Sequence, residues 1–301
     1  MIPNVFHFVF GLREQTEPFH LVYYLCIKSC IEVNQPDAVH FHYHHEPWGE
    51  WWERIKPEIQ LRRIQPNTFV SEYAYHDATI NPYRYAHLAD FARLQILLEE
   101  GGIYADIDTL FLKPVPKQWF SRPFILGEEK PPTGATESLC NAWIGASPGS
   151  DFCRLWLDGM REAFDGSWSN HSTLLPCRIA HKHPELLAVE PELSFYALDH
   201  TPKGIDGLFL REVDLPNTAY SLHLWNHLWF DRNRRDFSCF HAGLLTVDYV
   251  RHANTTYARH ARAHLPADAM GSRLRYWAQR LDLMLLRAVR TMRSVRSWLR
   301  A

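Results

Sequence analysis

The sequence has little cysteine and no long apolar run. Its six cysteines include no CxxC pair and no small-protein disulfide spacing, so we predict ordinary buried or half-buried thiols and a reducing cytoplasm. No stretch approaches the roughly 18 uncharged apolar residues that a membrane span requires. The opening residues, MIPNVFHFVFG, show no basic leader or small-residue cleavage site, which favours a first strand over a signal peptide.

Neither sign of charge is in large excess, since the formal net charge is −2. Residues 271–301 nevertheless contain eight arginines and one acidic residue, which leaves the rest of the chain acidic. Nucleic acid is therefore not expected as a partner of the main body. With 301 residues, 46% of them hydrophobic, the chain can bury a large core. We predict one compact α/β domain over residues 1–265 and a basic amphipathic helical tail over 266–301.

The first 45 residues predict a strand, a helix and a second strand. VFHFVF and AVHFHYHH are strand-like, and FHLVYYLCIKSCIEV between them has helical length and spacing. This order predicts a right-handed βαβ unit and a parallel sheet. His40, His42 and His44 fall on one face of the second strand; they could bind a metal, but a half-exposed strand is the simpler interpretation.

A helix ending in Gly-Gly is predicted at AHLADFARLQILLEEGG. Asp90 and Arg93 lie on one stripe of this helix. Either they form a local ion pair or they serve a site together.

The next segment, IYADIDTLF, is predicted to be one continuous strand. Alternation then places Tyr104, Asp106 and Asp108 on the same face, with the two carboxylates roughly 7 Å apart. Two neighbouring carboxylates repel each other, and a divalent cation is a natural way to keep both ionised. A lone DxD pair that is merely solvated is the alternative.

The run YRYAHLADFARLQILLEEGGIYADIDTLFLKP closely resembles the signature of the DXD-containing sugar-transferase family. That group includes yeast initiating mannosyltransferase-like and α1,4-galactosyltransferase-like enzymes. The resemblance implies a GT-A fold, an α/β architecture with a Rossmann-like, mostly parallel sheet flanked by helices. It also implies a glycosyltransferase that retains the anomeric configuration and uses a nucleotide sugar.

By the same resemblance, Asp106 and Asp108 would hold Mn²⁺ or Mg²⁺ on the diphosphate of a UDP- or GDP-sugar. Asp90 and Arg93 would face the donor sugar and the diphosphate. His223, within HLWN, would be a third metal ligand or a diphosphate ligand, and a core histidine bonded to the backbone is the alternative. The catalytic set is then Asp106, Asp108 and Arg93, which stabilise the leaving diphosphate. Further donor-pocket candidates are Tyr104, Glu128, Glu129, Asn141, Trp225 and Asn226.

The acceptor is expected to be a glycan or a lipid-linked acceptor, in bacterial surface polysaccharide synthesis. The alternative is a catalytically silent nucleotide-sugar or glycan binder. In the tail, apolar residues including Leu274, Trp277, Leu281 and Leu285 recur at helical spacing beside arginines. This pattern fits a helix on an anionic membrane surface, which would place a cytoplasmic enzyme on the inner face of the cell membrane. A helix docked on its own domain or on a partner fits it too.

Overall fold

The computed structural model describes residues 1–231 and 240–298. They divide into two compact units. The first comprises Met1–Ala197 and Pro216–His223, and the second comprises Leu198–Leu215 and the chain after His223. The domain boundary at residue 265 stays a prediction.

The strands are β1 (Val5–Phe10), β2 (Ala38–Tyr43), β3 (Gln60–Arg63), β4 (Gly102–Ala105), β5 (Thr109–Phe111), β6 (Phe124–Glu128), β7 (Leu139–Ala146), β8 (Ala188–Glu190) and β9 (Ser221–His223). The helices are α1 (Leu21–Asn34), α2 (Glu50–Ile55), α3 (Thr68–Glu72), α4 (Arg84–Glu100), α5 (Asp151–Ala163), α6 (Leu175–Lys182), α7 (Pro202–Phe209), α8 (Val247–His252), α9 (Thr256–Ala261) and α10 (Arg273–Trp298).

Seven strands of the first unit form one sheet in the order β3-β2-β1-β4-β7-β6-β8. Strands β1 to β4 pair in parallel, as do β6 and β8, whereas β7 runs antiparallel to both of its neighbours. The predicted fold class is confirmed: the unit is α/β, with the mostly parallel sheet and flanking helices expected of a GT-A fold.

Helix α4 packs one face of this sheet and ends in the predicted glycine pair. Its side chains Leu94 and Leu97 are fully buried in a cluster shared with β4, β6, β7 and α5. Gly101 and Gly102 follow with φ of +67° and +101°, a region that favours glycine. The chain can therefore leave the helix and enter β4 without an intervening loop.

The prediction of one continuous strand from Ile103 to Phe111 was wrong. Strand β4 ends at Ala105, residues 106–108 form a turn, and β5 begins at Thr109 in a separate two-stranded sheet with β9. The Asp106 N–H donates to the carbonyl of Ala142 at 2.8 Å, and the Thr109 N–H donates back to the carbonyl of Asp106 at 2.9 Å. These bonds reverse the chain where the alternating pattern indicates extended backbone.

In the second unit, α10 begins at Arg273 and packs beside α8. Arg275 pairs with Asp248 at 2.8 Å, and Gln279 accepts from Thr246 at 2.9 Å. In the described part of the chain, no helix is both long enough and apolar enough to cross a bilayer. Five cysteines are buried free thiols, as predicted, and the sixth, Cys239, lies outside the described residues.

Candidate active site

The two aspartates of the DxD motif lie in the turn after β4, at the carboxyl end of a central strand. In open α/β sheets, ligands bind at this edge. Strand β5 then pairs antiparallel with β9, in a register that sets Thr109 opposite His223. Pairing of two short strands thus brings a histidine from 115 positions later beside the turn.

Asp106, Asp108 and His223 form a compact cluster in which one ligand atom from each lies within 4.8 Å of the others. His223 Nε2 is 3.3 Å from Asp108 Oδ1 and 3.6 Å from Asp106 Oδ2. Asp108 and His223 are buried, whereas the side chain of Asp106 keeps 25% of its surface exposed. The cluster is therefore open to solvent on the Asp106 side.

The two carboxylates of this cluster favour a positive charge beside them. Burial alone would lower the pKa of His223, but Asp108 and Asp106 outweigh it and raise the pKa to about 10. The imidazolium thus compensates two carboxylates that would otherwise repel each other. Two hard carboxylate ligands and one imidazole also form a donor set that suits Mn²⁺, so these residues fit a divalent cation.

Arg93 joins this cluster to helix α4. Its NH2 atom lies 3.1 Å from Asp90 Oδ1 and 3.4 Å from Asp106 Oδ1, and its NH1 atom donates to the carbonyl of Asn141 at 2.6 Å. The guanidinium also lies over the Tyr104 ring, 4.6 Å from its centroid. Arg93 and Asp90 thus form the local ion pair that the helix spacing allows. The pair is shielded from solvent, because Arg93 is only 4% exposed.

Tyr104 acts on the same carboxylate from β4. Its hydroxyl donates to Asp106 Oδ1 at 2.6 Å. Burial would raise the pKa of Asp106, but Arg93, His223 and this hydrogen bond together hold it below its usual range. Asp106 is therefore an ionised group whose orientation is fixed from two sides.

Asp90 is held by three groups. Asn141 Nδ2 donates to its Oδ1 at 2.7 Å, and His171 Nε2 lies 3.0 Å from its Oδ2, while Arg93 completes the set. Burial opposes ionisation, yet Arg93 and His171 keep the pKa of Asp90 below its usual value. Sequence reasoning missed His171 because it lies 81 residues away, in a π-helical turn, within no recognisable motif.

Two buried nitrogens beside Asp90 have no hydrogen-bond partner among the described residues. They are His87 Nε2 and His171 Nδ1, on rings whose centroids are 4.8 Å apart. His87 Nδ1 is satisfied by the Tyr75 hydroxyl at 2.7 Å. Asp90 thus lies among polar groups, two of which have no hydrogen-bond partner among the described residues.

The remaining predicted donor-pocket residues lie elsewhere. Glu128 is exposed at the end of β6, and Glu129 accepts a 2.5 Å hydrogen bond from Ser138. Among the described residues, no hydrogen bond or ion pair joins either glutamate to the DxD cluster. Trp225 and Asn226 belong to the second unit, where Trp225 adopts φ +56° and its Nε1 donates to the carbonyl of Leu198 at 2.9 Å. The ligand roles of all these residues stay predictions.

Among solved structures, the chain resembles a PaToxG glycosyltransferase with a TM-score of 0.44 and 17% identity, covering 60% of this chain and 70% of that one. It also resembles the galactosyltransferase LgtC in complex with donor and acceptor sugar analogues, with a TM-score of 0.40 and 11% identity, covering 63% and 74%. Both TM-scores are below 0.5.

Sequence relatives are closer. The chain is 34% identical over 210 residues to glucan organizing enzyme 1 of Cryptococcus neoformans var. grubii, which covers 65% of this chain and 54% of the relative. It is 32% identical over 106 residues to subversion of eukaryotic traffic protein A of Legionella pneumophila, covering 35% of this chain and 16% of that protein. The chain therefore spans about half of the first relative and a much smaller part of the second.

A family model described as a glycosyltransferase sugar-binding region containing a DXD motif matches residues 24–125. The match includes α4, β4 and the turn with Asp106 and Asp108, which are the elements that build the cluster. Residues 24–125 are therefore similar to the DXD-containing glycosyltransferase sugar-binding region, which confirms the resemblance that the sequence predicts.

Proposed function

We propose that the protein is a metal-dependent, retaining glycosyltransferase that moves a sugar from a UDP- or GDP-sugar to a glycan or lipid-linked acceptor. The observation that carries this proposal is the convergence of Asp106, Asp108 and His223 on one point at the carboxyl edge of the sheet. The match of residues 24–125 to the model of a DXD-containing glycosyltransferase sugar-binding region supports the same chemistry.

Mn²⁺ or Mg²⁺ would be held by the carboxylates of Asp106 and Asp108 and by His223 Nε2. A divalent ion at such a site neutralises the diphosphate on which negative charge grows as the anomeric bond breaks. His223 must give up its proton to bind the ion, because an imidazolium offers no lone pair. The metal ion and the proton thus compete for His223 Nε2, where either one compensates the charges of Asp106 and Asp108.

The protein's own groups prepare this position. Arg93 and Tyr104 fix the Asp106 carboxylate, and Asp90 stays ionised beside two histidine nitrogens that have no partner among the described residues. A carboxylate held this way can accept from sugar hydroxyls. We assign to Asp90 the recognition of the donor sugar, and to Arg93 the organisation of both carboxylates.

The acceptor and its biological setting are also proposals. Bacterial surface polysaccharide synthesis is the setting that the sequence favours, and the name of the first relative adds glucans to the acceptors worth testing.

The decisive experiment incubates the protein with a panel of UDP- and GDP-sugars, with Mn²⁺, with Mg²⁺ and with EDTA. Release of UDP or GDP from one donor, dependent on metal, supports the enzyme. The rival function, a silent nucleotide-sugar or glycan binder, predicts binding of a nucleotide sugar without release from any donor. The retained DxD pair favours the enzyme, since a silent binder has no need of the metal ligands.

We further propose that helix α10 holds the enzyme on an anionic membrane surface at the cytoplasmic face. Four members of its predicted stripe are exposed, namely Leu274 (84%), Trp277 (56%), Leu281 (61%) and Leu285 (66%). Tyr276, on another side of the helix, is buried. The side chains of the arginines that flank the stripe, Arg287, Arg290, Arg293 and Arg296, lie outside the described residues.

Co-sedimentation with anionic and neutral vesicles tests this location. The double variant Trp277→Glu, Leu281→Glu should lose binding to anionic vesicles, because apolar insertion and charge attraction act together at such a surface. The matched control is Met270→Glu, at a residue 78% exposed just before the helix. Equal sedimentation of all three proteins would favour docking on a protein partner.

A further inference from the structure

A second cluster of potential metal ligands lies on the neighbouring strands β1 and β2. His7 of β1 is the direct partner of His40 of β2, and His42 follows two residues later on the same face. Their exposed fractions are 0%, 8% and 2%. The prediction that His40 and His42 belong to a half-exposed strand was therefore wrong, because Glu100 at the end of α4 and the following Gly101 lie against this face.

The three rings bring their nitrogen atoms close together. One nitrogen from each lies within 4.8 Å of the others, and His7 Nδ1 is 3.0 Å from His42 Nε2. Two imidazole nitrogens bound to one tetrahedral zinc ion lie roughly 3.3 Å apart, given zinc–nitrogen distances of about 2.0–2.1 Å. The cluster thus needs only small ring movements to enclose an ion.

Two of the rings are already oriented by a contact to the nitrogen that would not bind the ion. His7 Nε2 lies 2.8 Å from the carbonyl of Gly101, and a carbonyl only accepts, so this nitrogen carries the proton and Nδ1 keeps its lone pair. His40 Nδ1 lies 2.9 Å from Glu100 Oε2, which leaves the lone pair of His40 on Nε2. Metal-ligating histidines nearly always hold their other nitrogen against a carbonyl or a carboxylate in this way.

We propose that His7, His40 and His42 bind a zinc ion. Three buried imidazoles suit zinc better than Mg²⁺ or Mn²⁺, and the fourth position is left to water. In this state His42 carries its proton on Nδ1 and turns Nε2 to the metal. The ion ties β1 and β2 to the end of α4, through Gly101 and Glu100. It is separate from the DxD cluster, because Gly101 precedes β4 and Asp106 follows it.

One charged group competes for the same lone pair. The exposed Arg62 of β3 has its NH2 atom 3.5 Å from His40 Nε2. Zinc must displace this guanidinium, which is free to move toward solvent. Removal of Arg62 should therefore leave zinc affinity equal or increase it.

The test is zinc titration of the metal-stripped full-length protein against a chromophoric chelator, with Co²⁺ as a spectroscopic probe of tetrahedral geometry. The wild-type protein should bind one more zinc equivalent than His40→Gln. Glu100→Gln should weaken that equivalent about 10–100-fold, because the outer contact of His40 loses its negative charge. Glu100 is 41% exposed, so this variant should fold even if His40→Gln does not.

The matched control is His45→Gln, an exposed histidine just after β2, which should bind zinc as the wild type does. The Co²⁺ complex of the wild type should show the strong visible bands of a tetrahedral site, and Glu100→Gln should need more Co²⁺ to reach them. Equal zinc stoichiometry and affinity in wild type, His40→Gln and Glu100→Gln would overturn the proposal. So would a Co²⁺ spectrum with only weak octahedral bands.

Discussion

Replacement of Arg93 by methionine removes the charge that joins α4 to the DxD turn. Methionine fills a similar volume, so the main effect is electrostatic. The variant leaves Asp90 and Asp106 without their shared cation and leaves the carbonyl of Asn141 without the NH1 donor. Because Arg93 is 4% exposed, water cannot easily replace these contacts.

The magnitude follows from what each carboxylate retains. Removal of one partner from a buried ion pair costs about 3–5 kcal/mol of unfolding free energy. Asp90 keeps Asn141 and His171, and Asp106 keeps the Tyr104 hydroxyl and His223. We therefore expect a loss at the lower end, about 3 kcal/mol.

Urea unfolding at pH 7 measures this loss. The matched control is Arg259→Met, which breaks an ion pair with Glu212 in which the two side chains are 58% and 45% exposed. That change should cost no more than about 1 kcal/mol, because solvent screens an exposed pair. A loss for Arg93→Met as small as that of Arg259→Met would refute the assigned role of the buried pair.

The conservative variant Arg93→Lys separates structure from ligand binding. It keeps a charge near Asp90 and Asp106 but cannot form the guanidinium fork. If Arg93 also contacts the donor diphosphate, affinity for UDP or GDP should fall by about 1.5–3 kcal/mol in the folded variant. Unchanged nucleotide affinity would limit Arg93 to organising the carboxylates.

Three further predictions concern the groups around this site. Burial lowers the pKa of His87 to about 4. Between about pH 6.5 and pH 4 this histidine is therefore protonated in the unfolded chain but neutral in the folded chain, so roughly 3 kcal/mol of stability should be lost as the pH falls through this range. His171→Gln should lower kcat, because the ring orients Asp90. Its unfolding free energy should change less than that of Arg93→Met. Gly102→Ala should cost about 1–3 kcal/mol more than Gly134→Ala, because the new Cβ would lie 2.5 Å from a backbone oxygen.

Each of these has a contradicting result. His87→Gln should show a shallower loss of stability in acid, and an identical pH profile would assign that loss to other groups. An unchanged kcat in His171→Gln would leave the residue with a packing role alone. Gly134 has φ +90° and open space around it, so equal costs for the two glycine variants would mean that backbone conformation decides both.

The sequence predicted the parts of the site that local patterns encode. Strand and helix periods predicted β1, α1 and β2, and the Gly-Gly pair predicted the end of α4. Helical spacing placed Asp90 and Arg93 on one stripe of that helix. The turn after Ala105 was hidden, because every residue of IYADIDTLF is compatible with extended backbone and the bonds to Ala142 and within the turn are tertiary.

Contacts between residues distant in sequence were the other feature that the sequence did not predict. His171 meets Asp90 only after α4 has packed against the segment that follows α5, and no short motif records that packing. His7 and His40 likewise become neighbours through the register of two parallel strands. Position in a strand predicts which face a side chain occupies, but the burial of that face depends on what covers it.

The central claim is that Asp106, Asp108 and His223 bind the metal through which the nucleotide is held. Mn²⁺ binding measured by electron paramagnetic resonance, with UDP and with GDP, tests it in the wild type, Asp108→Asn and the exposed control Asp158→Asn. We predict nucleotide-dependent Mn²⁺ uptake in the wild type and Asp158→Asn, and at least a tenfold weaker uptake in folded Asp108→Asn. Equal Mn²⁺ affinity in all three proteins would contradict the account.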